Sequence, residues 1–199
     1  MSFASVSFLL FFLVVLLLLL LVQRVLPFAE IKRRIICQGI LLIASYVFYG
    51  WWNMRLCLLL MGITWISFFT AVKKDEKHLR QSRISLLIGV GTPLAVLGIF
   101  KYYDFFVTSF CDVFHLTPGV LNLILPVGIS FYTFQALSYT IDVYTGKIEK
   151  EKSFLQFALY LSFFPQLVAG PIVKASEFLP QLKENRKVTL AGLESGIQI

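Results

Sequence analysis

FASVSFLLFFLVVLLLLLLV, from Phe3 to Val22, is twenty residues without a charge, about the number a helix needs to cross the hydrocarbon core of a bilayer. A cleaved secretory leader would show a basic start, a shorter apolar stretch and a small-residue cleavage site. This stretch has none of the three and reads as a retained anchor. Charge-free runs recur at Ile35–Trp52, Leu56–Val72, Ile84–Phe100, Val120–Ile141 and Ser153–Ala169. Backbone in hydrocarbon must satisfy its own hydrogen bonds, so these runs predict helices. A barrel would need alternating polarity, which is missing.

Composition supports the same class. Of 199 residues, 58% are apolar and 15% charged, with 20 Phe and a mean hydropathy of +0.80. A soluble domain carries about a quarter charged residues and roughly 45–50% apolar ones, and it must cover its surface with polar groups. The expectation is an all-α, polytopic membrane protein with five to six membrane segments.

The net charge of +7 does not point to nucleic acid, because the basic residues fall in short loops between apolar runs. There they orient helices and meet lipid headgroups. Loops 23–34, 73–83 and 147–152 hold twelve Lys and Arg, against two (Arg55 and Lys101) in the intervening loops. The positive-inside rule then makes the first three loops cytoplasmic and the N-terminus external.

The sixth run breaks this alternation. If Ser153–Ala169 crossed fully, Lys174, Lys183, Arg186 and Lys187 would lie outside. Pro165 and the pair Gly170-Pro171 interrupt the run, and proline removes a donor and clashes with the preceding turn. The expectation is a re-entrant segment near 165–171 that returns to the cytoplasm; a proline-kinked spanning helix is the alternative. Irregular backbone at membrane depth persists only where it is buried in protein or lines a cavity. Between the fourth and fifth runs, Lys101, Asp104, Thr108, Asp112 and His115 recur at helical spacing opposite Phe106, Phe110, Val113 and Phe114. That pattern predicts an amphipathic helix over 101–116 lying in the outer interface and ended by Pro118-Gly119.

Two stretches carry more polar and helix-breaking residues than a lipid-facing helix requires. LPVGISFYTFQALSYTIDVYTG (Leu125–Gly146) contains Pro126, Gly128, Ser130, Tyr132, Thr133, Gln135, Ser138, Tyr139 and Thr140, with Asp142 towards its end, and FALYLSFFPQLVAGPI (Phe157–Ile172) contains Pro165, Gly170 and Pro171. Small and hydroxylic residues are commonly packing glue between helices; at this density they also suit a lined cavity. Asp142 reads equally as an interfacial carboxylate near Lys147 or as a polar group at a cavity mouth. The apolar runs hold no Asp, Glu, Lys, Arg or His, whereas ion-coupled transporters place such groups near the midplane. No phosphate loop, nucleophile elbow or metal-spaced Cys/His cluster is present. His78 and His115 lie outside the runs and are poor candidates for a base, and Cys37, Cys57 and Cys111 read as small apolar residues.

Together with LLIASYVFYGWW (Leu41–Trp52), FKYYDFF (Phe100–Phe106) and the opening anchor, these two stretches resemble the membrane-bound O-acyltransferase family, and most closely its alginate O-acetylase branch. The resemblance implies a helical membrane fold around a tunnel, in the cell (inner) membrane. An acyl group, acetyl for this branch, would pass from a cytoplasmic donor to hydroxyls of an extracytoplasmic polysaccharide. The donor would be acetyl-CoA or an acylated carrier, with no bound cofactor or metal, and periplasmic or cell-surface acetylation proteins would be partners. Pro126, Gly128, Ser130, Tyr132, Gln135, Asp142, Pro165, Gly170 and Pro171 would be tunnel or scaffold positions. The family's tunnel histidine has no counterpart here, so residues 1–199 read as the N-terminal portion of one longer domain, with the catalytic base beyond Ile199. Half of a solute transporter, or a non-catalytic membrane scaffold, is the alternative reading.

Overall fold

The computed structural model describes residues 5–24, 29–51, 53–75, 77–114, 117, 119, 123–167 and 170–184. Among the described residues the structure is all-helical, with no strand. The helices are α1 (Val6–Arg24), α2 (Glu30–Gly50), α3 (Met54–Thr70), α4 (Leu79–Leu97), α5 (Tyr103–Phe114), α6 (Ile129–Tyr144), α7 (Phe154–Ser162), α8 (Phe164–Leu167) and α9 (Ala175–Lys183). Two are long and apolar enough to cross a membrane: α1, and the 36-residue helix Leu79–Phe114 formed by α4 and α5.

α1 buries only Val15 and Val22. Leu9, Leu10, Val14 and Leu17 are each more than half exposed, an arrangement water does not favour but hydrocarbon does. It docks through aromatic rings: Phe8 on Phe48 at 5.8 Å, Phe11 on Phe164 at 5.3 Å, and Phe48 on Phe164 at 5.6 Å between centroids.

α4 and α5 form one continuous helix, joined by a π-helical turn at Gly98–Tyr102. An amphipathic helix separate from the fourth run is therefore not what forms. Gly98 is helical (φ −59°) and the chain has no proline between Pro93 and Pro118, so nothing stops the helix at Phe100; a π turn absorbs an extra residue instead. His115 and Pro118 lie outside the described residues.

The fifth run is not one helix either. Leu123–Pro126 is irregular, and α6 starts only at Ile129, after Gly128 with φ +72°. That left-handed angle suits glycine, and a Cβ at Gly128 would strike the Leu167 carbonyl oxygen. The 16 residues of α6 rise about 24 Å and continue past Ile141 to Tyr144.

α7 ends at Ser162, and Phe163 turns out of helical geometry (ψ 108°). Extended helically, the Pro165 ring would meet the Leu161 carbonyl; placed in the first turn of α8, its missing N–H leaves nothing unsatisfied. The interruption thus precedes Pro165 by two residues. α8 reaches Gly128, the Gly170 N–H bonds to the Gln166 carbonyl at 3.2 Å, and the chain doubles back through 171–174 into α9. Tyr160 on the outgoing limb donates to the Val173 carbonyl on the return at 3.3 Å, and Lys183 at the end of α9 meets Glu151, just before α7, at 2.7 Å. The segment is a closed hairpin that ends where it began.

Tertiary contacts sort the loops by end. Lys74 N–H donates to the Tyr144 carbonyl (3.1 Å), Arg34 to the Lys183 carbonyl (2.6 Å) and Gln38 to the Leu182 carbonyl (2.8 Å). The basic loops at 23–34, 73–83 and 147–152 therefore gather at the end where α9 finishes. Lys101, from the basic-poor group, donates to Ser130 Oγ at 3.2 Å at the opposite end of α6. Arg186 and Lys187 lie outside the described residues.

Candidate functional site: the α6 helix and the hairpin packed on it

α6 is the centre of the fold. Ile129, Tyr132, Thr133, Gln135, Ala136, Leu137, Tyr139, Thr140 and Val143 are buried, leaving only Phe134 and Ile141 outward. Small side chains permit this. Gly89 of α4 lies against Thr140 and Thr70, with room for no side chain, the close approach that small residues allow between membrane helices. Thr140 returns its hydroxyl to the Ala136 carbonyl at 2.9 Å, and Thr64 and Ser162 bond back one turn in the same way. Ser45 does so to Leu41 and also accepts the Phe164 N–H at 3.2 Å, tying the start of α8 to α2.

Four buried hydroxyls, those of Tyr49, Ser67, Tyr132 and Thr133, have no hydrogen-bond partner among the described residues. Tyr49 and Tyr132 are 3% and 0% exposed, and their hydroxyls face one another without closing a bond. A buried hydroxyl left unpaired costs about 1–3 kcal/mol, so the surroundings of α6 hold more polarity than their packing uses.

Glu151 closes the other end. It is 5% exposed; its carboxylate receives Lys183 at 2.7 Å and the Ser153 N–H at 2.9 Å, and its own N–H donates to Tyr139 Oη at 2.9 Å. Burial alone would push its carboxyl up, but the Lys183 ammonium and the backbone donors outweigh it and hold the carboxyl below the usual carboxylate range. Asp142 pairs with Lys147 at 3.5 Å.

The nine residues singled out from sequence divide accordingly. Tyr132 and Gln135 lie in the core of α6, Pro126 is buried just before it, and Gly128 and Ser130 form its start beside Leu167 and Lys101. Asp142 sits at its far end, while Pro165, Gly170 and Pro171 shape the tip of the hairpin, with Pro165 and Pro171 exposed. The sequence does not single out Glu151, Tyr160 or Tyr49. Glu151 stands in the charged run KIEKEK, which reads as solvated, and nothing local marks its burial. The one described histidine, His78, is exposed and bonded to Asp75 at 2.9 Å, which lowers the Asp75 carboxyl. No group of His, Cys, Asp and Glu among the described residues could hold a metal ion.

The apolar exterior, the buried polar central helix and the doubled-back hairpin make up an all-helical protein with an internal polar seam and two helices apolar enough to cross a membrane. Comparison with known proteins gives the family. The chain is 38% identical over 163 residues to a protein named probable alginate O-acetylase from Pseudomonas putida, covering 79% of this chain and 33% of that protein. It is 39% identical over 148 residues to the protein of the same name from Pseudomonas aeruginosa (71% and 28%), and 36% identical over 169 residues to a peptidoglycan O-acetyltransferase from Helicobacter pylori (72% and 32%). The chain belongs to the membrane-bound O-acyltransferase family. It spans about a third of the length of these relatives. No family model and no solved structure matches it.

Proposed function

We propose that the protein of which these residues form the N-terminal part is an O-acetyltransferase of the cell membrane, moving acetyl groups from a cytoplasmic donor to hydroxyls of an extracytoplasmic polysaccharide. The observation that carries this reading is the similarity over most of the chain to relatives named for O-acetylation of two different polymers, alginate and peptidoglycan. The donor, acetyl-CoA or an acylated carrier, would approach the basic end of the bundle, which is cytoplasmic if the loop charges obey the positive-inside rule. The hairpin of α7–α9 would then be re-entrant, with five full crossings beside it. Pro126, Gly128 and Ser130 would shape the external end of the tunnel wall, the unpaired hydroxyls of Tyr49, Tyr132 and Thr133 would offer hydrogen bonds along it, and Asp142 would stand near its cytoplasmic mouth. Hydroxyl acylation needs a base within hydrogen-bond reach of the acceptor, and that base would come from beyond residue 199.

The test is deletion of the encoding gene and measurement of alkali-labile acetate on the extracellular polysaccharide. Loss of the acetate, restored by the full-length gene and not by a version ending at Ile199, is the expected result. Unchanged acetate in the deletion strain would overturn the reading.

A further inference from the structure

At the basic end of the bundle, α3 and α7 present an outward aromatic corner. Trp65, Phe69 and Phe154 are 59%, 54% and 43% exposed. Their rings form one array: Trp65 to Phe69 at 4.7 Å, Phe69 to Phe68 at 5.3 Å, and Phe68 to Phe154 at 5.3 Å between centroids. Lys150 caps it, its Nζ 5.3 Å above the Phe68 ring. Burial disfavours the charged form of this lysine, yet no carboxylate of the described residues lies within ion-pair distance of it. Of the acids nearby, Asp142 pairs with Lys147 and Glu151 with Lys183, while Glu149, next to Lys150 in sequence, makes no ion pair with it. Lys73 stands at the same end of α3, where the chain leaves the helix and pairs with Tyr144, and its ammonium lies beside Gly146. At the opposite end Lys101 also lies over a ring, 5.3 Å above Tyr102, but its ammonium is bonded to Ser130.

A cation fixed on a ring, lacking a counter-ion and standing over a lipid-facing aromatic surface, is suited to a ligand with an anionic head and apolar tails. We propose that this corner binds an anionic phospholipid, with Lys150 and Lys73 meeting the phosphate and Trp65, Phe69 and Phe154 lying along the acyl chains. Basic pockets between helices on the cytoplasmic side bind lipid headgroups in this way, and aromatic rings settle at the level of the headgroups. The site needs the membrane but not the acetylation reaction, and its test does not measure acetyl transfer.

The full-length protein, incorporated into nanodiscs of phosphatidylcholine with a graded fraction of phosphatidylglycerol, would be released gently and its retained lipids counted by native mass spectrometry. Wild type should retain phosphatidylglycerol in preference to phosphatidylcholine. Lys150→Gln and Lys73→Gln should each weaken that retention about fivefold, the equivalent of about 1 kcal/mol per lysine near an anionic surface. Lys150→Arg should preserve it, and Arg55→Gln, the same charge change at the opposite end, should leave it unaltered. Equal incorporation of all variants into nanodiscs separates a lost site from a lost fold. The proposal is overturned if wild type shows no preference, if both lysine variants retain lipid as wild type does, if Arg55→Gln weakens retention equally, or if glycerol phosphate displaces the lipid at comparable concentration, which would make the ligand a soluble anion.

Discussion

α5 and α6 are both short, aromatic and dotted with polar residues, yet one is almost bare and the other almost fully enclosed. α5 buries only Cys111, with Phe105, Phe106, Phe110, Val113 and Phe114 all more than half exposed. α6 buries nine of its 16 residues. The difference lies in where the small side chains stand. α6 has Ser130, Thr133, Ala136, Ser138 and Thr140 through its length, so α3, α4 and α7 can all approach its backbone; α5 puts phenylalanine at the corresponding outward positions. Enclosure in this fold follows steric access to the backbone rather than hydrophobicity, as expected where lipid competes equally for apolar side chains.

That contrast can be broken most forcefully at the start of α6. Gly128→Val adds a side chain that meets the Leu167 carbonyl at a backbone angle valine avoids. The expected loss is about 3 kcal/mol or more, summing backbone strain and a clash, seen as little monodisperse protein in detergent. Next, Ala136→Leu, at a fully buried position, should lower stability by about 1–3 kcal/mol through overpacking, measured as a fall in thermal midpoint. The mirror change in α5, Phe106→Ala, should shift that midpoint by no more than about 0.5 kcal/mol equivalent, since it removes an outward ring. A large loss from Phe106→Ala would mean that α5 is covered by protein in the intact molecule.

Between these extremes lies Glu151→Gln, which keeps the shape but removes the charge that holds Lys183. A loss of about 1.5–3 kcal/mol is expected, the range for a hydrogen bond to a charged group. Because the Glu151 carboxyl is held below its ordinary value, its contribution is fully present above the unfolded-state value and disappears as pH falls through the lowered folded one. Wild type should therefore lose hairpin protection in hydrogen exchange on acidification below about pH 4, whereas Glu151→Gln should be low throughout and flat over that window.

Much of this is visible in the residue pattern, and the exceptions have physical causes. Charge-free runs locate α1, α2 and α3 within a few residues, and the grouping of basic loops reappears as one end of the bundle. Pro165 and Gly170 announce an interruption, and the chain does double back there. The bend itself falls at Phe163, because a proline acts on the carbonyl four residues earlier rather than on its own position. The continuity of α4 with α5 is hidden because nothing local distinguishes a π turn from a helix end. Glu151 is hidden for a different reason: its burial is created by Lys183, Tyr139 and Ser153, two of which are distant in sequence. Of the candidate site, Gly128 and the polar α6 face can be read locally; the clasp that seals the hairpin cannot.

The hairpin of α7–α9 returns to the end of the bundle where it started. Single cysteines are placed at Lys77, Gly119 and Gln181 in a full-length variant with Cys37, Cys57 and Cys111 replaced, and intact cells are treated with a membrane-impermeant thiol reagent. Positions 77 and 181 should be protected together until the membrane is permeabilised, while position 119 labels at once. Labelling of 181 alongside 119, with 77 protected, would mean that the sixth segment crosses the membrane instead of turning back.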